Sequence, residues 1–249
     1  MKSVLSLSLM CISALSGACV DQLDDDQTDT TDVPRLAANG MTPNQIQVTT
    51  LDAAALTGAG ITSIAATADG RSFLTYLVGC ALTSSQTLTT TGSTQYSFTG
   101  TLGLASGWTS ASLSGAERKW VSACMLARAN SIGTSVGLSL RGTHTQLYLS
   151  GEGGYGIQEG TFYGDIFFGG AGRHACADID VINRPTYGSL KTRVCAYSDN
   201  GVGTTTPCGF IYDGLCASTC SFTSPNYTTC TDSSANAWTE VIKVNLLGT

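Results

Sequence analysis

What the chain has little of narrows its chemistry before any motif is read. It holds two histidines, His144 and His174, and neither has a partner at helical spacing, which excludes the paired-histidine signature of a zinc protease. Charged residues make up only 12% of the chain, and its 12 Lys and Arg form no cluster. Nothing is present to neutralise a run of phosphates, so no nucleic-acid partner is expected. Long apolar runs are confined to Val4–Leu15, shorter than the roughly 20 apolar residues that a membrane-spanning helix needs. A multispan membrane protein is excluded. The glycines of Gly151-Glu152-Gly153-Gly154-Tyr155-Gly156 come without a phosphate-loop lysine, and no nucleotide cofactor is expected.

The N-terminal segment is specific. Met1-Lys2, the apolar run and the small residues Ser16-Gly17-Ala18 before Cys19 predict a signal peptide over residues 1–18. Leu15-Ser16-Gly17-Ala18-Cys19 resembles the lipobox of bacterial lipoproteins, in which the cysteine is lipidated and becomes the mature N-terminus. Its leucine stands four residues before the cysteine instead of the usual three, with Ser16 in the usual place. The resemblance implies that Cys19 carries the lipid, palmitate among its acyl chains, and that the chain meets the membrane through this anchor. The competing reading is an ordinary signal cleaved after Ala18, leaving Cys19 a thiol.

Six aspartates and no basic residue follow between Val20 and Asp32. Such a stretch builds no core and repels itself into an extended tether, expected over residues 19–43 with a single globular domain over 44–249. The tether also explains the acidity. Of 18 acidic residues six lie in it, and 12 remain beside 11 Lys and Arg (12 less Lys2). The domain is therefore near neutral.

Eight cysteines lie in that domain: Cys80, Cys124, Cys176, Cys195, Cys208, Cys216, Cys220 and Cys230. An even number in an exported chain reads as a disulfide framework. Cys216-Ala217-Ser218-Thr219-Cys220 has tolerable metal-ligand spacing, but structural zinc sites repeat a tight pair or add histidines, and no metal is expected.

Periodicity marks the elements. Phe73, Leu74, Leu77, Cys80 and Ala81 form one helical stripe within Arg71–Leu82, behind a start signal at Asp69-Gly70. Ser114 and Glu117 make a capping box ahead of an apolar face of Trp120, Val121, Cys124, Leu126 and Ala127, with Gly133 placed to end the helix. Each helix carries a cysteine on its buried face, so a Cys80–Cys124 bridge is expected. Thr87–Thr90 and Gln95–Thr99 read as a hairpin around Gly92-Ser93. Val136, Leu138 and Leu140 alternate as a half-buried strand with Gln146–Leu149 as its partner. Ile46–Val48, Thr192–Tyr197 and Trp238–Val244 read as strands, Leu51–Leu56 as a helical turn broken by Gly58 and Gly60, and Cys208–Cys230 as crosslinked loop. The fold class is α+β: two helices on an antiparallel sheet, disulfide-stapled, with an irregular cysteine-rich C-terminal region.

Phe73–Leu82, Gly103-Leu104-Ala105 before Trp108, and Trp120-Val121-Ser122-Ala123-Cys124 resemble a set of uncharacterised cysteine-rich exported lipoproteins from predatory soil bacteria. The resemblance spans residues 70–230. It implies the lipoprotein character and the disulfides, and carries no activity to any residue.

Candidate chemistry is thin. Gly133-Thr134-Ser135-Val136-Gly137 matches a serine-hydrolase elbow in letters, but the elbow joins a strand to a following helix and here the order is reversed. In Arg173–Asp180, the alternate residues His174, Cys176, Asp178 and Asp180 share a face if the segment is a strand. The plainer reading is a polar loop running into a disulfide. Glu152, Glu159 and Asp165 are candidates for the carboxylate pair of a glycosidase, with Tyr155, Tyr163, Trp108 and Trp238 as sugar platforms, although such aromatics more often fill a core. The preferred expectation is a non-catalytic envelope or surface lipoprotein with an interaction or structural role and a protein or glycan ligand. The alternative is a hydrolase of envelope polymers acting through a carboxylate pair.

Overall fold

Capped amphipathic segments set where the helices run. The computed structural model describes residues 36–37, 41, 54–131, 135–147, 153–167, 172–182 and 195–247. The elements in chain order are β1 (Leu36–Ala37), α1 (Gly58–Thr62), α2 (Ala68–Ala81), β2 (Thr87–Thr89), β3 (Ser97–Thr99), α3 (Gly115–Ala127), β4 (Leu138–Arg141), β5 (Ile157–Gly164), β6 (Arg173–Ala177), α4 (Ile179–Ile182), β7 (Ile211–Leu215), α5 (Cys216–Thr219), β8 (Cys220–Thr223), β9 (Asn226–Thr231), β10 (Ala237–Trp238) and β11 (Ile242–Leu246).

The start of α2 lies ahead of the expected Arg71, because Thr67 is its cap: the hydroxyl accepts from Gly70 N at 3.0 Å. The capping box of α3 is present, with Ser114 Oγ accepting from Glu117 N at 3.2 Å and Ser114 N donating to Glu117 Oε2 at 2.8 Å. This helix ends at Ala127, short of Gly133, which lies outside the described residues. The two apolar stripes meet, and Cys80 bonds Cys124 with their Cα atoms 6.0 Å apart. Arg128 closes the junction: its guanidinium stands 4.7 Å over the Tyr76 ring and 3.9 Å from Cys80 Sγ. Burial lowers the Arg128 pKa to about 10, with Tyr76 offsetting part of the effect.

The helices lie on one side of a six-stranded sheet in the order β1-β4-β11-β5-β6-β7. Every pairing is antiparallel except β6 with β7, which is parallel. Register and alternation sort the side chains. Ile242 faces Phe162 and Phe162 faces Ala175 across neighbouring strands; these join Leu138, Leu140 and Val244 in the main core with α2 and α3. Complete burial of a side chain such as Phe162 or Leu140 stabilises by about 1.5–3 kcal/mol. The intervening positions, Lys243, Thr161 and Cys176 in one row, form a polar face on the other side.

That polar face is covered by a three-stranded antiparallel sheet, β10-β9-β8. Tyr163, Cys176, Cys216, Tyr227, Cys230 and Val241 make a second, smaller core beneath it. The fold class is α+β as expected, with the refinement that the sheet is mixed. The stretch expected as crosslinked loop carries strands, with Cys220 directly opposite Cys230. Its Ser and Thr give no apolar alternation, so periodicity had nothing to detect.

Other expectations are corrected by long-range pairing. Gln146 and Leu147 form a turn, Tyr148 and Leu149 lie outside the described residues, and the partners of β4 are β1 and β11. The single strand expected at Trp238–Val244 is two: Trp238 pairs with Cys230 in the small sheet, while β11 runs between β4 and β5. Cys195–Tyr197 is not extended into a strand, and Thr192–Val194 lie outside the described residues, as do Ile46–Val48 and Leu51–Ala53. Ala54–Leu56 are not helical, and Gly58 and Gly60 lie within α1. A Cβ on Gly58 would come 2.0 Å from Thr89 O, a backbone approach that only glycine permits. The fold also begins before residue 44, since β1 pairs with β4 and Met41 is fully buried.

The eight domain cysteines form four disulfides: Cys80–Cys124, Cys176–Cys216, Cys195–Cys208 and Cys220–Cys230. Four disulfides are the mark of an extracytoplasmic domain matured in an oxidising compartment. No helix among the described residues is long and apolar enough to cross a membrane. Cys19 lies outside the described residues.

Candidate functional site

Three adjacent strands bring together groups far apart in sequence. Tyr163 of β5 lies directly opposite His174 of β6, and their rings stack with an interplanar angle of 4° and centroids 5.8 Å apart. On β7, Asp213 reaches both: its Oδ2 accepts from Tyr163 OH at 2.9 Å and lies 2.9 Å from His174 Nδ1. A carboxylate only accepts, which assigns the proton on this side of the ring to Nδ1. Asp213 Oδ1 accepts from Ser233 N at 2.8 Å.

The far edge of the imidazole faces the small sheet. His174 Nε2 lies 3.7 Å from Asp232 Oδ2, beyond hydrogen-bond length. Asp232 is held by others: Trp238 Nε1 at 3.0 Å, Asn236 Nδ2 at 3.0 Å, and the backbone amides of Ser234 and Asn236, each at 2.9 Å. The Trp238 ring tilts over His174 with centroids 5.9 Å apart. Tyr163, His174, Asp213 and Asp232 are all buried.

The electrostatics follow from this enclosure. Burial raises the Tyr163 pKa, and the neighbouring Asp213 carboxylate raises it further, so the phenol remains a donor at every physiological pH. For Asp232, burial favours the neutral form. The bonds from Trp238, Asn236 and Ser234 outweigh it and hold the carboxyl below its ordinary value.

A second polar group lies further along the same face. Tyr227 OH donates to Asp178 Oδ1 at 2.7 Å, and Lys243 Nζ stands 5.4 Å from the centroid of the Tyr227 ring and 5.6 Å from that of Phe222. Burial raises the Asp178 pKa, with the Tyr227 bond and Lys243 opposing. Burial lowers the Lys243 pKa, with Asp178 opposing most strongly and Arg141 reinforcing.

The expected face of alternating residues is thus partly realised. Arg173–Ala177 is a strand and not the polar loop of the plainer reading, and the Asp178 carboxylate is buried rather than in water. The four residues nonetheless divide: His174 meets Asp213, Cys176 bonds Cys216, Asp178 accepts from Tyr227, and Asp180 Oδ2 accepts from Gln158 N at 3.1 Å. Asp213, Asp232 and Lys243 were not distinguished in the sequence, since each sits in a polar or ordinary strand context that only the topology brings to His174 or Asp178.

Of the candidate carboxylates, Glu159 and Asp165 are not brought together. Glu159 is buried and accepts from Cys195 N at 2.9 Å. Asp165 binds Arg118 Nε at 3.3 Å and Phe167 N at 3.1 Å. Glu159 lies near the start of β5 and Asp165 just past its end, about 20 Å apart along the backbone at the rise of a strand, whereas a glycosidase pair is separated by roughly 5–9.5 Å. Glu152 lies outside the described residues. Trp108 and Tyr163 are core side chains, 1% and 0% exposed. Among the described residues the group of potential metal ligands is Cys176, Cys216 and Cys220, with sulfurs within 4.8 Å of one another, and all three are in disulfides. Comparison with known proteins finds no family model, no curated protein and no solved structure that matches this chain.

Proposed function

We propose that this chain is an exported envelope lipoprotein, anchored through Cys19, whose disulfide-stapled domain serves an interaction or structural role towards a protein or glycan partner. The observation that carries the non-catalytic part is the use made of the buried ionisable groups. Asp213 receives Tyr163, His174 and Ser233, and Asp232 receives Trp238, Asn236 and Ser234. Asp213 thereby fastens the β9–β10 turn of the small sheet to the large one, and Asp232 holds that turn in shape. The lipobox-like Leu15–Cys19, the acidic tether and the resemblance to cysteine-rich exported lipoproteins support the anchoring.

The test is made on the full chain expressed in a bacterial host. Mass spectrometry of the mature N-terminus is expected to find a diacylglyceryl adduct and an N-acyl chain on Cys19, and Cys19→Ser is expected to lose membrane association. An N-terminus at unmodified Cys19 would overturn the anchor. Release of soluble fragments from envelope polysaccharide or peptidoglycan by the purified domain would overturn the non-catalytic role.

A further inference from the structure

Two of the disulfides touch. Cys176 of β6 is bonded to Cys216 at the start of α5, and Cys220, at the start of β8, is bonded to Cys230 of β9. Cys176 Sγ and Cys220 Sγ, which belong to different bonds, lie 3.4 Å apart. Neither sulfur carries a hydrogen, so this is a direct contact between two disulfides. Cys216 Sγ also lies within 4.8 Å of both. Of the eight domain cysteines only Cys220 is not buried.

We infer that these four cysteines form a thiol–disulfide exchange site for an external dithiol, with Cys220 as the point of entry and the Cys176–Cys216 bond as the acceptor. A thiolate of the incoming dithiol attacks Sγ of Cys220, the half-buried member of the four, and Cys230 leaves as a thiolate. The second thiol of the same reagent attacks its own sulfur in the mixed disulfide. The reagent departs as a cyclic disulfide, and Cys220 becomes a thiolate. No longer held by Cys230, Cys220 Sγ turns about its Cα–Cβ bond into line with the Cys176–Cys216 bond and attacks Cys176 Sγ. Cys216 is the leaving thiolate. The dithiol has lost two electrons, and the protein has gained two thiols, Cys216 and Cys230, with one disulfide, Cys176–Cys220, in place of two.

Proximity makes the internal step compete with the external one. A thiolate held in contact with its target acts at an effective concentration far above that of a millimolar reagent, and the attacking species in either step is the thiolate. The geometry also preserves the fold. Cys176–Cys216 ties the large sheet to the base of the small one, and Cys176–Cys220 would tie the same two parts four residues further along. Entry at Cys220 thus changes which thiols are free without releasing the small sheet.

Two variants test this. Cys230→Ser leaves Cys220 a thiol with no added reductant. Alkylation of the folded and then denatured protein, followed by unreduced peptide mapping, is expected to find a Cys176–Cys220 linkage and the alkyl group on Cys216. Alkylation at Cys220 with Cys176–Cys216 intact would overturn the proposal. In the otherwise natural chain, brief treatment with dithiothreitol and acid quenching should give the same linkage with Cys216 and Cys230 alkylated, which keeps the test alive where Cys230→Ser does not fold. Loss of Cys220–Cys230 with Cys176–Cys216 untouched would count against it. The second variant, Cys220→Ala/Cys230→Ala, removes the internal nucleophile, and reduction of Cys176–Cys216 by dithiothreitol should slow by about 10-fold or more. An unchanged rate would show that the reagent reaches Cys176 directly.

Discussion

His174 Nδ1 meets Asp213 Oδ2 at 2.9 Å, tying two parallel neighbours of the large sheet on a face from which water is shut out by the small one. The same oxygen takes the hydroxyl of Tyr163, whose ring stacks on that of His174. One carboxylate thereby fixes the positions of two aromatic rings and, through Ser233 N, the start of the turn before β10.

Removing that carboxylate takes an acceptor from two buried side chains, Tyr163 and His174, and from the backbone amide of Ser233. A hydrogen bond to a charged group contributes about 1.5–3 kcal/mol, and with both the Tyr163 and His174 bonds lost, Asp213→Ala is expected to cost about 3–5 kcal/mol from urea unfolding midpoints. Asp213→Asn retains one acceptor oxygen and should cost less, about 1–3 kcal/mol. Equal midpoints for Asp213→Ala and the natural chain would remove the cluster from any account of stability.

Asp232 gives the acid side of the stability profile. Its folded pKa lies below the ordinary 3.8, burial being outweighed by the bonds from Trp238, Asn236 and Ser234. A carboxyl with a depressed folded pKa contributes stability that is present above its unfolded value and lost as the pH falls through the folded one. The natural chain should therefore lose stability more steeply below pH 3.8 than Asp232→Asn does. Parallel acid-unfolding curves for the two would contradict the assignment.

The parts legible in the sequence were those governed by local rules. The stripe from Phe73 to Ala81 and the Ser114–Glu117 box need only neighbours three or four residues away, and both helices formed with Cys80 facing Cys124. The β2–β3 hairpin was equally local. The strands that build the polar face were harder, because their register is set by partners far along the chain. Lys243 lies in line with Thr161 and Cys176 only because β11 inserts between β4 and β5. A polar residue alternating with Ile242 and Val244 reads as solvent-facing in a sheet with one covered side. Here a second sheet covers the other side, and the same alternation buries Lys243, Tyr163 and His174. His174 and Asp178 were marked as one face by their spacing, but their partners Asp213, Tyr227 and Asp232 came from strands and turns with no signal of their own.

Lys243 and Asp178 are coupled through the low-dielectric space around Tyr227. Each is destabilised in its charged form by burial and supported by the other. Lys243→Met should accordingly cost less in an Asp178→Asn background than in the natural chain. Side chains that share a buried environment couple by about 0.5–3 kcal/mol, and about 1 kcal/mol is expected here from the four midpoints of the cycle. Strict additivity would mean that the two charges do not sense each other.

The bridge between the helices spans the longest separation of the four disulfides, yet its partners lie on two elements that each form for reasons of their own. Cys80 sits on the stripe of α2 beside Leu77, and Cys124 on that of α3 beside Val121, all fully buried. The bond closes a separation of 44 residues, and the loop-closure entropy it removes from the unfolded chain corresponds to as much as about 4 kcal/mol. Replacing both cysteines with alanine keeps each helix, since neither capping residue nor apolar stripe is otherwise changed, and leaves the other three disulfides in place. The expected result is a native-like far-ultraviolet dichroism spectrum with unfolding free energy reduced by about 2–4 kcal/mol. Unreduced peptide mapping of the natural chain should recover Cys80 linked to Cys124. A Cys80 peptide linked to any cysteine from Cys176 to Cys230 would mean that α2 is fastened to the C-terminal region instead, and the contact between the two helices would then have to rest on packing alone.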